Sequence, residues 1–219
     1  RRVDVSIPSG GEQLAAYLYR PRPTRSPAPC VVMAHGFCGT RDDGLPGYAE
    51  AFQRAGFAVA LFDYRYFGAS TGDPRQLLDI SRQQDDYRAV VAWVRRAEGI
   101  DPDRIVLWGS SFSGGHVLVV AAGDPRIAAV IAQAPFTDSL PVIRRMPVRN
   151  LLKASAFGLA DRVGALAGRP PVRMPAVGPS GSFAALTEPD AESGYAALRG
   201  PQSLWRNEFA ARLILRFPA

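Results

Sequence analysis

Residues 106–115 read Val-Leu-Trp-Gly-Ser-Ser-Phe-Ser-Gly-Gly, and no other run in the chain is as informative. The apolar start predicts a buried strand, and the glycines and serines after it predict a tight turn into a helix. Ser111 falls at the apex of this turn, with Gly109 two residues before it and Ser113 two residues after it. Small residues at those positions let a strained turn approach the neighbouring strands. The pattern, G-x-S-x-S, therefore predicts a serine exposed as a nucleophile.

Short apolar runs elsewhere predict further buried strands, and helical patterns lie between them. The strand-like runs are residues 30–34, 57–62, 104–108 and 127–132, and the helical patterns cover residues 48–55, 80–98 and about 112–122. Strands that alternate with helices across short loops indicate an α/β fold with a mostly parallel sheet and helices on both faces. Residues 3–7 and 14–19 predict a β-hairpin at the N-terminus, and the proline-rich residues 21–29 connect it to the first buried strand.

The composition excludes several classes of protein. The chain has 219 residues, 47% of them hydrophobic and 21% charged, which is typical of a globular protein of one large domain. No apolar run approaches the roughly 18 residues that a membrane helix needs, so we expect no membrane span. The net charge of +6 is not gathered into a basic run, so we expect no nucleic-acid partner. The predicted serine nucleophile indicates a small-molecule or acyl substrate instead. The sequence leaves the oligomeric state open.

Cysteine and histidine are too scarce for a metal site. Cys30 and Cys38 form neither a C-x-x-C motif nor a metal-binding pattern, and the two histidines are His35 and His116. We expect no metal and no organic cofactor. Two unpaired thiols suggest a reducing compartment, which favours the cytoplasm.

A second motif, His35-Gly36-Phe37-Cys38-Gly39, follows the strand predicted at residues 30–34. A loop at this place can donate a backbone N–H to an oxyanion. We therefore expect the amides of Phe37 and Phe112 to form an oxyanion hole. His35 is a candidate general base, but a histidine that bonds the loop backbone is the favoured interpretation. Cys38 is an alternative nucleophile that has no base near it in the sequence.

Three motifs in this order resemble the α/β-hydrolase superfamily: His35-Gly36-Phe37, the run Asp63–Ser70, and the run Gly109–Gly114. The nearest branch is that of the dienelactone hydrolases and X-Pro dipeptidyl-peptidase-like serine hydrolases, and the resemblance covers about residues 3–138. It implies a Ser–acid–His triad in that chain order, with Ser111 attacking a carbonyl carbon. It also implies that Asp63 and Ser70 shape a loop and have a structural role.

The sequence departs from the family pattern in its acid and its histidine. In the family both follow later strands, and no such strands are predicted here. His116 lies on the helix that leaves the turn, where a packing role is favoured. We expect this chain to be the N-terminal part of a longer hydrolase, with the last strands, the histidine and the acid beyond Ala219. Asp138 is an alternative acid, although Pro135–Asp138 also fits a simple turn.

The predicted organisation has three parts. Residues 1–138 form the core, residues 139–200 form a helical cap, and residues 201–219 return to the core. The segment 139–200 shows no strand-like run, and it carries an apolar helical stripe at Leu152, Leu159, Val163 and Leu166. It is also basic, through Arg144, Arg145, Arg149, Lys153, Arg162, Arg169 and Arg173. A cationic rim that attracts anionic substrates is one hypothesis, and arginines that face solvent or pair with acids are the alternative.

Two functions remain at this point. The first is a serine hydrolase that cleaves a carboxylic ester, thioester or amide through an acyl-enzyme on Ser111. The second is a non-catalytic scaffold with a hydrolase fold that binds a ligand or a partner. The absent histidine favours the scaffold, and the intact turn around Ser111 favours the enzyme.

Overall fold

A computed structural model describes residues 2–21 and 27–216 of the chain. Its centre is a six-stranded sheet. The strands are β1 (Arg2–Ser9), β2 (Glu12–Tyr19), β3 (Ala28–Ala34), β4 (Ala58–Phe62), β5 (Ile100–Ser110) and β6 (Ile127–Gln133). They lie in the order β1-β2-β4-β3-β5-β6, with β1 and β2 antiparallel and β4, β3, β5 and β6 mutually parallel. The predicted fold class and hairpin are confirmed. Most of the predicted connector, residues 22–26, lies outside the described residues.

Three helices cover the two faces of the sheet. They are α1 (Leu45–Arg54), α2 (Ile80–Val94) and α3 (Phe112–Ala122). Alternate side chains of β3 point to opposite faces, as the period of a strand requires. Val31 and Met33 pack with α1, whereas Val32 and Ala34 belong to the cluster that includes α2 and α3. The carboxyl ends of β3 and β5 therefore open at one edge, where the loops after them meet.

A buried ion pair fastens the hairpin to α2. The Arg65 guanidinium donates to the Asp86 carboxylate at 2.6 Å, and the Ser9 hydroxyl donates to the same carboxylate at 2.8 Å. Asp86 is 0% exposed. Since a buried charge is stable only when it is paired and hydrogen-bonded, these contacts fix the hairpin against the helix.

The strand at residues 127–132 is confirmed as β6, but it lies at the edge of the sheet. Several of its side chains are exposed, and Ile131 is 40% exposed. A strand with partners on both sides would bury such residues. Within residues 2–21 and 27–216, β6 pairs with β5 alone.

Segment 139–200 and the residues after it form a layer of their own. The elements are α4 (Leu140–Arg145), α5 (Val148–Leu166), β7 (Arg173–Met174), α6 (Ala191–Leu198), β8 (Phe209–Ala210) and a 3-10 helix (Ala211–Arg216). The expectation of no strand in this segment is wrong in one respect, because β7 pairs antiparallel with β8. Two residues are too few for a strand to show a period in sequence. Residues 201–219, predicted to return to the core, include β8 and the 3-10 helix, and residues 217–219 lie outside the described residues.

The predicted apolar stripe does form one face of a helix, α5, but that face is turned outward. Its members are exposed as follows: Leu152 66%, Leu159 58%, Val163 56% and Leu166 81%. The buried face carries Ala154, Gly158 and Asp161 instead. In the described part of the chain, no helix has the length and apolar character needed to cross a bilayer.

Candidate active site

The turn after β5 holds Ser111 in a strained backbone conformation. Its φ is 54° and its ψ is −117°, a region that side chains other than glycine rarely adopt. The Ser111 amide donates to the Gln133 carbonyl at 2.9 Å, and its carbonyl accepts from the Phe136 amide at 2.8 Å. The end of β6 therefore fixes the turn from one side.

Glycines around Ser111 leave room for backbone that side chains would block. A Cβ added to Gly109 would lie 2.3 Å from the Ser113 carbonyl oxygen, and one added to Gly115 would lie 2.2 Å from the Phe136 carbonyl oxygen. Both distances are well inside contact distance, and the blocking atoms are backbone. Only glycine fits at these two positions.

Ser113 fastens the turn to the neighbouring strand. Its side chain is 0% exposed, and its hydroxyl accepts from the Ser110 amide at 2.9 Å. The hydroxyl proton has two acceptors at 3.0 Å, the carbonyl oxygens of Ala34 and Ser110. A glycine at position 113 could not make these hydrogen bonds. The serine in G-x-S-x-S therefore ties the turn to β3 through its side chain.

The Ser111 hydroxyl differs from the Ser113 hydroxyl in its exposure and its hydrogen bonding. Ser111 is exposed, and its side chain makes no hydrogen bond to any residue in 2–21 or 27–216. It lines two cavities described below. Among the three serines of the turn, Ser111 is the one whose oxygen is available to a ligand on both sides.

The loop after β3 passes directly against this turn. A Cβ added to Gly36 would lie 3.0 Å from the Ser110 carbonyl oxygen and 3.8 Å from the Phe112 amide nitrogen. The rings of Phe37 and Phe112 are 5.9 Å apart. Phe112 is the first residue of α3, where helix amides and the helix dipole favour negative charge. The structure thus brings the two residues predicted as amide donors to one place.

Tyr195 on α6 binds the loop after β3, a contact that no sequence pattern indicated. Its hydroxyl donates to the Phe37 carbonyl oxygen at 2.7 Å. Burial raises the pKa of Tyr195, so the phenol keeps its proton. The two residues are 158 positions apart, and no local pattern reveals a contact of that range.

His35 lies beneath the loop and bonds its backbone. Its Nδ1 donates to the Gly36 carbonyl at 3.0 Å, and its ring packs edge-on against Tyr64 at 4.7 Å. Burial lowers the pKa of His35 to about 4, so the ring is neutral at pH 7. This agrees with the interpretation of His35 as a histidine that supports the loop.

His116 is buried on α3, where its ring faces α2. Its Nε2 lies 2.9 Å from the Gln83 side-chain oxygen, and its ring packs edge-on against Phe112 at 5.0 Å. Burial also lowers the pKa of His116 to about 4. The ring does not line either cavity at Ser111, which agrees with the packing role.

The remaining candidate residues singled out in the sequence do not line either cavity at Ser111. Asp138 is exposed and accepts from the Leu140 amide at 2.8 Å, at the start of α4, so its role as a triad acid stays a prediction.

The Asp63 carboxylate accepts from the amides of Arg41 and Ala69, and the Ser70 hydroxyl donates to the Asp63 carbonyl. Burial raises the pKa of the Asp63 carboxyl to about 6. Burial raises the pKa of Cys38, which keeps it a neutral thiol.

One cavity of about 250 Å³ lies between Ser111 and segment 139–200. Its lining is Phe37, Ser111, Phe112, Phe136, Ser139, Val142, Ile143, Met146, Leu151, Ala154, Ser155, Met174, Ala185, Leu186 and Ile214. We call this the apolar cavity. None of these side chains is charged, so the basic residues of segment 139–200 that the rim hypothesis invoked do not line this cavity. Two of the basic residues have other contacts: Arg173 lies 3.2 Å from Glu208, and the Lys153 amine lies 4.2 Å from the Phe183 ring centre.

A second cavity of about 310 Å³ also reaches Ser111. It is more polar and aromatic than the first. Its lining includes His35, Asp43, Tyr48, Trp108, Gln133, Tyr195 and Trp205. Ser111, Phe37 and Leu186 are shared by the two cavities. A group bound at the Ser111 hydroxyl therefore has space on two sides, one apolar and one polar.

Comparison with known proteins finds related sequences and structures. The model of the family described as X-Pro dipeptidyl-peptidase (S15 family) matches residues 10–151. The quorum-quenching protein AidA of Acinetobacter baumannii is 47% identical over 213 residues, which is 97% of this chain and 70% of that protein. The thiohydrolase aneE of Aspergillus aculeatus is 41% identical over 111 residues, 51% of this chain and 35% of the relative.

Among solved structures, the α/β hydrolase GrgF from Penicillium sp. sh18 has a TM-score of 0.82 at 28% identity. The match covers 99% of this chain and 72% of that structure. The likeness therefore extends beyond the central sheet to segment 139–200 and the residues after it.

Proposed function

Because the chain belongs to the X-Pro dipeptidyl-peptidase (S15) family of α/β-hydrolase enzymes, we propose that it cleaves a carboxylic ester, thioester or amide through an acyl-enzyme on Ser111. The observation that carries this proposal is the state of the Ser111 hydroxyl. It stands on a strained turn, exposed to two cavities and without a hydrogen-bond partner in the described residues, while the Ser113 hydroxyl is fully engaged. A thiohydrolase among the relatives supports thioesters as one substrate class.

In the proposed reaction, the Ser111 oxygen attacks the substrate carbonyl carbon while a base takes the hydroxyl proton. The carbonyl oxygen becomes an oxyanion, which accepts hydrogen bonds from the amides of Phe37 and Phe112. The bond to the leaving group then breaks, and the leaving group takes the proton from the base. In the second half of the reaction, the base takes a proton from a water molecule, whose oxygen attacks the acyl carbon. The bond to the Ser111 oxygen then breaks, Ser111 regains the proton from the base, and the acid is released.

We infer that neither histidine of the chain is the base. His35 bonds the Gly36 carbonyl, and His116 bonds Gln83, both within the interior. We propose that the base and the acid that orients it come from outside these 219 residues. The chain spans 70% of the length of AidA and 35% of the length of aneE, so the activity of the whole protein is part of the proposal.

We also propose the three-part organisation: a core of residues 1–138, a cap of residues 139–200 and a return to the core in residues 201–219. The support is the position of α4 and α5, because Val142 on α4, Met146 just after it and Leu151 on α5 line the apolar cavity together with Ser111. Such a cap excludes water from the acyl-enzyme and selects its substrate. Cys30 and Cys38 are free and buried, which supports the cytoplasm as the compartment.

Labelling with a fluorophosphonate tests the proposal, because only an activated serine reacts. We expect the whole protein to be labelled and S111A to be unlabelled, with a loss of ester turnover on the order of a million-fold. S110A is the matched control, since it removes the neighbouring hydroxyl and leaves Ser111 in place. Absence of labelling in the wild type, with ligand binding intact, would support the scaffold function instead.

A further inference from the structure

One polar group of the apolar cavity is both buried and unsatisfied in the described residues, and the proposed reaction does not use it. Ser139 is 4% exposed and lines the cavity, and its hydroxyl oxygen has no hydrogen-bond partner in the described part of the chain. Buried hydroxyl groups in proteins are nearly always hydrogen-bonded, because an unsatisfied one loses its interaction with water and gains nothing. An unsatisfied hydroxyl that faces a cavity points to a ligand atom.

The local sequence explains why Ser139 has no partner of its own. Serine is a common first residue of a helix because its hydroxyl accepts from an amide in the first turn. Ser139 occupies this position at the start of α4 and makes no such bond. Its backbone is helical, with φ −86° and ψ −17°, whereas a capping serine is extended; Pro141 also has no N–H to donate, and the Leu140 N–H is taken by the Asp138 carboxylate at 2.8 Å. The hydroxyl is therefore left to the cavity.

The rest of the lining restricts what that ligand can be. Apart from Ser111, Ser139 and Ser155, all the residues around the cavity have apolar side chains, and none is charged. A carboxylate or ammonium group buried there would find no counter-charge, at a large cost in free energy. A hydrocarbon chain fits the walls, and a neutral oxygen fits Ser139, whose hydroxyl can both donate and accept.

We propose that the apolar cavity binds an uncharged, mainly hydrocarbon acyl group that carries an oxo or hydroxy substituent, and that Ser139 hydrogen-bonds this oxygen. The position of the carbonyl carbon at Ser111 rests on the proposed function. The contact between Ser139 and the oxygen does not, because it concerns binding alone. Ser139 is then a residue that sets specificity by rejecting chains that leave its hydroxyl unsatisfied.

Binding to the S111A protein tests the proposal without any need for turnover. The ligands are N-methyl amides of octanoic acid, one with a plain chain and others with an oxo group at each chain position in turn. Calorimetry gives the Kd of each. We expect one oxo chain to bind about 5- to 100-fold more tightly than the plain chain, the range expected from satisfying a buried hydroxyl.

Two variants in the S111A background assign this preference. S139A is expected to bind the plain and the oxo chains equally, with the plain chain bound at least as tightly as before. S182A is the matched control, since the Ser182 hydroxyl is also buried without a partner but does not line the apolar cavity. It should keep the full preference.

Equal binding of all chains by S111A alone overturns the proposal, whether or not S139A folds. A preference that survives in S139A, whose melting temperature shows it to be folded, overturns it as well. The proposed function fails by a different result. If the protein prefers an oxo chain but never hydrolyses the matching thioester, the Ser139 proposal holds and the proposed function is wrong. If it hydrolyses thioesters but shows no chain preference in binding, the proposed function holds and the Ser139 proposal is wrong.

Discussion

Helices α2 and α5 both carry apolar residues at helical spacing, but these residues are buried in α2 and exposed in α5. In α2, Tyr87, Val90, Val91 and Val94 are between 0% and 4% exposed and pack against the sheet. In α5, the matching stripe is exposed, and the fully buried residues are small or polar, with the half-buried Phe157 packing against Phe183 beside them. A continuous apolar face anchors the first helix, whereas the second is anchored by a mixture of close, polar and aromatic contacts.

The contacts of α5 are close and polar. A Cβ added to Gly158 would lie 3.1 Å from the Ala211 carbonyl oxygen, so the helix lies directly on the 3-10 helix. The Asp161 carboxylate accepts from the Arg212 guanidinium at 2.8 Å and from the amides of Val172 and Arg212. The layer that lines the apolar cavity is thus attached by fewer apolar contacts than the sheet beneath Ser111, and removing single residues should show this.

The largest effect is expected at α2. Tyr87 is 0% exposed, and its hydroxyl donates to the Trp108 carbonyl at 2.9 Å. Y87A leaves a large cavity in the core and should lower the free energy of unfolding by about 3–5 kcal/mol, measured by urea denaturation. Y87F removes only the hydroxyl and should cost about 1 kcal/mol. If the two variants lost the same amount, packing would not be what holds α2.

D161A should have a comparable but local effect. It leaves the partly buried Arg212 without its partner, and removing one member of such a pair costs about 3 kcal/mol. Hydrogen exchange is the measurement: amides of α5 should lose protection while those of β3 and β5 keep theirs. D190A, at an exposed aspartate of the same segment, is the control and should leave the pattern unchanged. Equal loss of protection in the sheet would show that the two layers unfold as one.

A smaller effect depends on pH. Burial lowers the pKa of His116 from 6.5 to about 4, so between these values the unfolded chain binds a proton that the folded chain does not. Stability from this residue is therefore complete above pH 6.5 and is lost as the pH falls towards 4, by about 1.4 kcal/mol per pH unit. H116Q keeps a donor for Gln83 and does not titrate, so its stability should improve relative to the wild type as the pH falls.

Unfolding at several pH values between 4 and 8 measures this difference. Asp63 and Asp86 have raised pKa values and act in the opposite sense, since each carboxyl binds its proton more tightly in the folded state. Both are present in the wild type and in H116Q, so their contribution cancels in the comparison. A difference between the two proteins that does not change with pH would mean that His116 titrates normally when folded.

The smallest effect is expected on the exposed face of α5. Leu166 is 81% exposed, so L166Q should change the free energy of unfolding by less than about 0.5 kcal/mol. V94Q makes a comparable change at a fully buried position of α2 and should unfold the protein far more readily in urea. A large loss in L166Q would show that another part of the molecule or a partner covers the stripe.

The sheet was predictable because its signals are local. Continuous apolar runs gave β3, β4 and β5, and the spacing of small residues around Ser111 gave the turn with its apex at the right residue. The loop at residues 35–39 could be placed beside that turn, since parallel strands bring their carboxyl ends to one edge. What these residues have in common is that neighbours in sequence determine their conformation.

The second layer was not predictable in the same way. Periodicity showed that α5 is a helix, but not that Gly158 and Asp161 would face inward in place of the leucines. The Tyr195 bond to Phe37 and the pairing of β7 with β8 join residues far apart in sequence. Ser139 is a further case, because nothing in its sequence context indicates that its hydroxyl lies in a cavity without a partner among the described residues.

The link that Ser113 makes to Ala34 also has a consequence for protein engineering. It connects the two loops that carry Ser111 and Phe37 through the fully buried Ser113 side chain, and Gly36 packs against the same turn. Residues of the apolar cavity on α4 and α5 lie outside this turn. We therefore expect a library that randomises Val142, Met146 and Leu151 to vary the ligand preference of the cavity while the geometry around Ser111 stays unchanged, and a library that includes Gly36 or Ser113 to consist mostly of variants with a disturbed turn.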